Sequence, residues 1–192
     1  MPGRQRRPDE SLRKSKPMSL SLYQSSIPVY ERGLNAFLAI LDKAEEHATA
    51  RKFDPNNYLA MRLSPDMFPL VRQVQSFCDH AKNSSFRLAA QVPPAKEDKE
   101  ATVAELRDRI HATLDMLKSI DPKAMEGAET REIVIPTGAS NKLKIPGADY
   151  LLHFAMPNFY FHLTTAYDIL RGSGVEIGKL NFMGAVPNLV RV

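Results

Sequence analysis

The chain has 192 residues, of which 43% are hydrophobic and 25% are charged, as expected for one globular domain with a single core. Cys78 is its only cysteine, which excludes a disulfide framework and a cysteine-based zinc site and predicts a reducing, cytoplasmic location. The apolar stretch 150–170 is nearest to membrane-spanning length, but Asn158 and Asp168 interrupt it, so we expect no membrane partner.

The formal net charge of +4 is concentrated at the N-terminus. Residues 1–17 contain six arginines and lysines against two acidic residues, and the rest of the chain has as many basic as acidic side chains. The polar, proline-containing composition of residues 1–17 predicts a disordered basic tail, followed by one helical domain over residues 18–192. Because that domain is neutral, it lacks a basic face for DNA or RNA, and we expect no nucleic-acid partner.

Four segments have apolar residues at spacings of three and four, which predicts four amphipathic helices. The first is expected to begin near Ile27, with Ser25 or Ser26 as its cap and Pro28 in its first turn. The second is expected to start at residues 64–66 or one turn later. The third opens with a capping box, Thr-Val-Ala-Glu, at residues 102–105.

The pattern changes between the third and fourth helices. Residues 131–135 and 142–145 flank a Pro-Thr-Gly turn, which predicts a two-stranded hairpin. Asp149 is expected to cap the fourth helix, which ends at Gly172. The fold class is therefore all-α, a four-helix bundle with a small β-hairpin before the last helix. The apolar segment 175–183 is expected to pack on the bundle and to suit a homodimer contact.

Polar residues lie on one face of the otherwise apolar fourth helix. Asn158 and His162 are four residues apart and Thr165 follows at the next turn, so they share a face. Pro157 removes a helical N–H, so we expect a bend that leaves the carbonyl of His153 unpaired. Such a polar centre in an apolar wall is typical of a ligand pocket, and the alternative is that these groups satisfy one another in the core.

The candidate ligand-binding residues are Asn158, His162, Thr165, His80, Gln73 and Tyr160. His162 is also the candidate catalytic residue, because a histidine can move a proton near neutral pH. The chain lacks the GxSxG, GxxxxGK[ST] and GxGxxG motifs of hydrolases, P-loop enzymes and Rossmann domains. Whether the protein is an enzyme is therefore left open.

A metal site is the alternative for the same histidines. His153 and His162 are nine residues apart and lie on opposite faces of a helix, and the chain has no HxxxH or HExxH pair. His80 can meet His162 across two helices, but zinc usually requires three protein ligands. We expect no metal cofactor; the alternative is zinc or nickel held by His80 and His162. His47 and His111 are expected to be solvated.

Three quoted segments carry a resemblance to a known family. They are LYQSSIPVYERGLNAFLAILDKA in the first helix, FPLVRQVQSFCDHAK in the second and HFAMPNFYFHLTTAYDILRGSGVEIGKLNFMG at the C-terminus. The chain resembles an uncharacterised family, catalogued as a domain of unknown function, within the DinB/YfiT-like superfamily. The resemblance covers residues 18–185 and implies a DinB-like four-helix bundle with up-up-down-down topology, often in a dimer.

The resemblance also implies a metal site that this chain matches incompletely. Many DinB-like relatives bind a divalent metal through one histidine on the second helix and an HxxxH pair on the last, and some are thiol-dependent transferases or isomerases. His80 and His162 match two of those positions, but Asn158 stands at the third. Three hypotheses remain: a small-molecule-binding bundle with or without metal-independent catalysis, an altered metal-dependent transferase or isomerase, and a non-enzymatic interaction or stress protein.

Overall fold

The computed structural model describes residues 20–137 and 141–190, so the predicted disordered tail, residues 1–17, lies outside the described part of the chain. The four main helices are α1 (Leu22–Ala50), α2 (Leu70–Leu88), α3 (Val103–Lys118) and α4 (Met156–Gly172). Strands β1 (Glu132–Thr137) and β2 (Asn141–Pro146) pair antiparallel, with Ile133 opposite Ile145. The predicted all-α, DinB-like four-helix bundle with a small hairpin before the last main helix is confirmed.

Short helical elements lie between these four helices or after the last of them. They are two 3-10 helices (Pro55–Ala60 and Pro122–Met125), a short helical turn (Gly147–Asp149), a π-helical turn (Tyr150–Ala155) and the C-terminal helix α5 (Lys179–Met183). The π-helical turn leads directly into α4, and the N–H of Met156 donates to the carbonyl of Leu151. The bend expected at Pro157 stays a prediction, and the structure shows a π-helical turn that ends at Ala155, just before the proline.

The start of α1 differs from the expectation. The helix begins at Leu22 and not near Ile27, because Ser21 and Gln24 form a capping box. The Ser21 hydroxyl accepts from the backbone N–H of Gln24 at 3.2 Å. Pro28 is consequently inside the helix, on its exposed face, and not in the first turn.

Of the other main helix starts, only that of α3 has a side-chain cap like that of α1. α3 has the predicted capping box, in which Thr102 accepts from the N–H of Glu105. α2 begins at Leu70, one turn after residues 64–66, with Pro69 as its cap. The expected cap at Asp149 is wrong, because the helical turn already starts at Gly147, whose N–H donates to the carbonyl of Arg131 at 2.9 Å.

Neighbouring main helices are in contact at four boundaries around the bundle. These contacts are Gly33 of α1 with Phe159 of α4, Asp42 of α1 with Arg107 of α3, Asp79 of α2 with Arg109 of α3, and Gln73 of α2 with His162 of α4. The rings of Phe37, Phe77 and Phe159 fill the centre, each fully buried, with centroids 5.1 and 6.2 Å apart.

The contacts between the ends of the helices give the direction of each helix in the bundle. Tyr58 of the first 3-10 helix bonds His47 near the end of α1, Asn56 bonds the N–H of Val103 at the start of α3, and Ser173 after α4 contacts Met61 just before α2. In chain order the four helices therefore run up, down, down, up. The expected up-up-down-down pattern describes the order around the perimeter, which is α4, α1, α3 and α2.

The connection between α2 and α3 explains this order. Residues 89–102 contain no helix and return along the bundle, which an extended chain advancing about 3.3 Å per residue can do. Asp98 and Glu100 of this segment bind Arg109 of α3 at 2.9 and 3.0 Å. This connection, which we call the crossover segment, therefore lets α3 run parallel to α2.

The C-terminal segment packs on α1, as expected. Gly184 lies close to Ala36, and the ring of Phe182 meets that of Tyr167 edge to face at 5.6 Å. Leu180 remains 80% exposed, and a homodimer contact through this segment stays a prediction. Within the ranges that the structure describes, none of the helices is long and apolar enough to cross a membrane.

Candidate functional site

A chain of hydrogen bonds holds His162 against α2. The buried amide of Gln73 donates through Nε2 to the carbonyl of Phe68 at 3.1 Å, and its Oε1 lies 2.7 Å from Nδ1 of His162. Since the amide oxygen can only accept, the shared proton resides on Nδ1 of His162. Two of the predicted residues, which lie 89 positions apart in sequence, are thus in direct contact.

The hydrogen bond to Gln73 leaves the other ring nitrogen of His162 with a free lone pair. Among the described residues nothing bonds Nε2 of His162, and this atom is not one of the buried polar atoms that lack a partner. It therefore faces space that water or a ligand can reach. A neutral imidazole held in this tautomer can accept a hydrogen bond or a proton at Nε2.

Aromatic rings lie on both sides of His162. Its ring is nearly parallel to that of His80, with centroids 5.5 Å apart, and to that of Phe68 at 6.5 Å. Phe154 meets His80 edge to face at 6.3 Å. We call these four part-exposed rings the histidine surface. The histidine surface lies at the α2–α4 boundary. It does not lie at the bundle centre, because the rings of Phe37, Phe77 and Phe159 fill that space.

Both histidines of the histidine surface are held in the neutral form at pH 7. The pKa of His80 is lowered to about 4, mainly by burial and further by the neighbouring His162 and Arg87, against the opposing effect of Asp79. Burial also lowers the pKa of His162, with the Arg72 guanidinium acting in the same direction. The pair therefore presents lone pairs and not positive charges.

Acid is expected to destabilise the protein through His80. Because its pKa is about 4 in the folded state and 6.5 when unfolded, the unfolded state binds more protons between these values. The free energy of unfolding should fall by about 2 kcal/mol between about pH 7.5 and pH 5. Urea titrations at both values test this, and His80→Gln should remove most of the fall whereas the exposed His111→Gln should not. An equal fall in the His80 variant contradicts the assignment.

The other predicted site residues are placed differently. The Asn158 amide donates to the carbonyl of Phe154 at 2.7 Å, and the Thr165 hydroxyl donates to that of Phe161 at 2.7 Å. Asn158 therefore bonds the carbonyl of Phe154, and the expectation that Pro157 leaves the carbonyl of His153 unpaired stays a prediction. Tyr160 packs edge to face on Phe159, away from Gln73, because it is two residues from His162 and so on another helix face.

The donor set does not fit the metal centre that the resemblance implies. His80 and His162 are adjacent, but no group of three or more His, Cys, Asp or Glu side chains suited to a metal occurs in the described ranges. Nδ1 of His162 is already bonded to Gln73, and the Asn158 amide faces the helix backbone. With two imidazoles and no third ligand, the arrangement lacks the three protein ligands that a zinc site normally has.

Sequence reasoning missed two features, one beside His162 and one near the end of α1. Phe68 had no sequence signal of its own, although its ring and carbonyl complete the surroundings of His162. His47 was expected to be solvated but is part-buried, with Nδ1 2.6 Å from the hydroxyl of Tyr58. The signal for His47 was the aromatic pair Phe53 and Tyr58, which follows α1 closely enough to fold back on it.

The fold places the protein in a known class. Its bundle and hairpin are those of a DinB-like protein: the chain is similar to a DinB family member protein from Shewanella denitrificans, solved by crystallography, with 40% identity and a TM-score of 0.81. The match covers 88% of this chain and 96% of that chain. The chain belongs to the family described as Domain of unknown function (DUF1993), which matches residues 22–183. No curated protein matches it.

Proposed function

We propose that the protein binds a small organic molecule at the histidine surface, and that Nε2 of His162 accepts a hydrogen bond or a proton from it. The observation that carries this proposal is the open Nε2, which the Gln73 amide fixes as an acceptor. Phe68 and Phe154 add apolar contact area beside this polar group. Mostly apolar surroundings with one oriented polar group are the usual composition of a ligand site.

The chemistry of His80 and His162 favours a neutral or weakly acidic ligand. Both imidazoles are neutral at pH 7, so they offer no attraction to an anion, although Arg72 lies over the Phe68 ring at 5.4 Å. A ligand with an O–H, N–H or S–H group can donate to Nε2 of His162 while an apolar part covers Phe68. If the ligand's donor is acidic enough, His162 can remove its proton, which would make the site catalytic without a metal.

Phenol is expected to bind His162 measurably, and anisole, which has no O–H, at least about tenfold more weakly, the ratio that one oriented hydrogen bond supplies. NMR titration of the His162 ring resonances measures both affinities, and the ring resonances of the adjacent His80 serve in the variant that lacks His162. His162→Phe keeps a flat ring between Phe68 and His80 but removes the acceptor, so it should abolish the preference for phenol. Equal affinity for phenol and anisole in the native protein would contradict the proposal.

Gln73→Leu provides a second test of the same site. It removes the acceptor from Nδ1 of His162, so the proton is free to move to Nε2 and the ligand loses its acceptor. The phenol preference should fall in this variant as well. An unchanged preference would mean that Gln73 does not orient His162 for binding.

A further inference from the structure

A groove lies at the end of the bundle where α1 and α4 finish, away from the histidine surface. It has a volume of about 460 Å³. Its lining includes Lys43, Glu46, His47, Arg51, Gly174 and Glu176. We call it the end groove.

His47 presents an N–H group to the end groove. The Tyr58 side chain is buried, and its hydroxyl has no other acceptor in the described residues than Nδ1 of His47, 2.6 Å away. Burial raises the pKa of the Tyr58 phenol, which keeps its proton and donates it to His47. The proton of neutral His47 therefore sits on Nε2, the tautomer opposite to that of His162.

Gly174 keeps this edge of His47 uncovered. A Cβ at Gly174 would come within 3.6 Å of Nε2 of His47. Its φ of +94° also favours glycine, as is common just after a helix. The absence of a side chain at this position leaves Nε2 accessible from the groove.

Charges of both signs surround His47 without neutralising one another. Lys43, His47 and Arg51 are spaced four residues apart and lie on one stripe of α1. Glu46 is on the adjacent stripe, and Glu176 belongs to the opposite wall. Within the described residues, the charged side chains of Lys43, Arg51, Glu46 and Glu176 form no salt bridge. Arg107 of α3, by contrast, binds two carboxylates of α1.

We propose that the end groove binds a small zwitterion of the amino-acid type, with its carboxylate on the Nε2–H of His47 and on Arg51 or Lys43, and its ammonium on Glu176 or Glu46. A simple anion is disfavoured because two carboxylates line the same groove, and a simple cation is disfavoured by the two basic side chains. A molecule that carries both charges pairs with both sets through charge-assisted hydrogen bonds.

Titration with 4-aminobutanoate tests this assignment, followed by the His47 ring resonances and by the Gly174 amide resonance, which every variant retains, in NMR spectra of the full chain. Butanoate and butylammonium, which each lack one charge, are the matched controls. We expect saturable shifts of His47 with 4-aminobutanoate, and binding of each control at least about tenfold weaker. Equal binding of butanoate, or no shift with either 4-aminobutanoate or glycine, would overturn the proposal.

Three variants locate the binding. The charge variants are two double substitutions, Lys43→Gln with Arg51→Gln and Glu46→Gln with Glu176→Gln. They change surface side chains, so both should fold normally and weaken 4-aminobutanoate binding by about tenfold. His47→Phe keeps the ring contacts with Phe53 and Tyr58 but lacks the N–H, and should also lose binding. Circular dichroism confirms the fold of each variant, and undiminished binding in both charge variants refutes the site.

Discussion

Replacing Arg109 with alanine is expected to lower the free energy of unfolding by about 3–5 kcal/mol, the usual cost of breaking a buried ion pair from one side. The Arg109 side chain is fully buried, and its guanidinium binds Asp79 at 3.0 Å, Asp98 at 2.9 Å and Glu100 at 3.0 Å. Glu100 is itself only 8% exposed, so removing the cation leaves a nearly buried carboxylate without its partner.

Arg107 supplies a matched control in the same helix. It binds Asp42 at 2.7 Å and also Glu45, but these carboxylates are 61% and 40% exposed. Water can replace such a partner, so Arg107→Ala should cost about 1 kcal/mol or less. Urea denaturation of both variants measures the difference, and similar losses would contradict the assigned role of burial.

The Arg109 variant should also release the crossover segment. Asp98 and Glu100 hold residues 89–102 against α2 and α3, and Gln75 adds a hydrogen bond to Glu100 at 2.8 Å. Hydrogen exchange near residues 97–101 should therefore become faster in Arg109→Ala and stay unchanged in Arg107→Ala. Unchanged exchange in both would mean that other contacts hold the segment.

The second large effect is expected at Gly147, where Gly147→Ala should destabilise the protein by more than about 3 kcal/mol, beyond the usual range for an overpacked side chain. A Cβ at this position would lie 1.9 Å from the backbone carbonyl oxygen of Ala128 and 3.3 Å from the Leu88 side chain. A backbone carbonyl cannot rotate away as a flexible side chain can, so the loop after β2 must move.

Gly172→Ala is the control for Gly147→Ala. Gly172 is the last residue of α4, its φ is not positive, and an added Cβ would have nothing within 4 Å. Alanine there should stabilise the helix by up to about 1 kcal/mol, because glycine is the poorer helix former. Thermal unfolding of the two variants should shift in opposite directions, and a shift in the same direction would contradict the steric argument.

Local sequence signals were accurate where neighbouring residues decide the structure. The capping box at Thr102 and Glu105, the hairpin and the helical stripes depend on contacts within a few residues, and all three were predicted. The start of α1 was missed because Ser21, Ser25 and Ser26 are equally good caps by type. Only Ser21 has a glutamine three residues later, Gln24, and this reciprocal bond is what the structure uses.

The directions of the helices could not be predicted from the helices themselves. The sequence of the crossover segment is charged and proline-containing, which indicates a loop but not its path. The path depends on the buried Arg109, because its guanidinium binds Asp98 and Glu100 of the crossover segment and also Asp79 of α2. These contacts join residues in different elements, 9 positions apart for Glu100 and 30 for Asp79, and have no periodic signature.

The candidate site illustrates the same limit. The sequence by itself determined the bundle and the polar face of α4, because helical spacing indicates both. It left the contact of His80 with His162 as one alternative. Only the tertiary structure decided what each polar group bonds. Asn158 and Thr165 turn to carbonyls of their own helix, and Gln73 reaches across from α2 to His162. Whether a polar side chain bonds a carbonyl of its own helix or a group on another helix depends on its rotamer and on the packing around it. Helical spacing specifies neither the rotamer nor the packing.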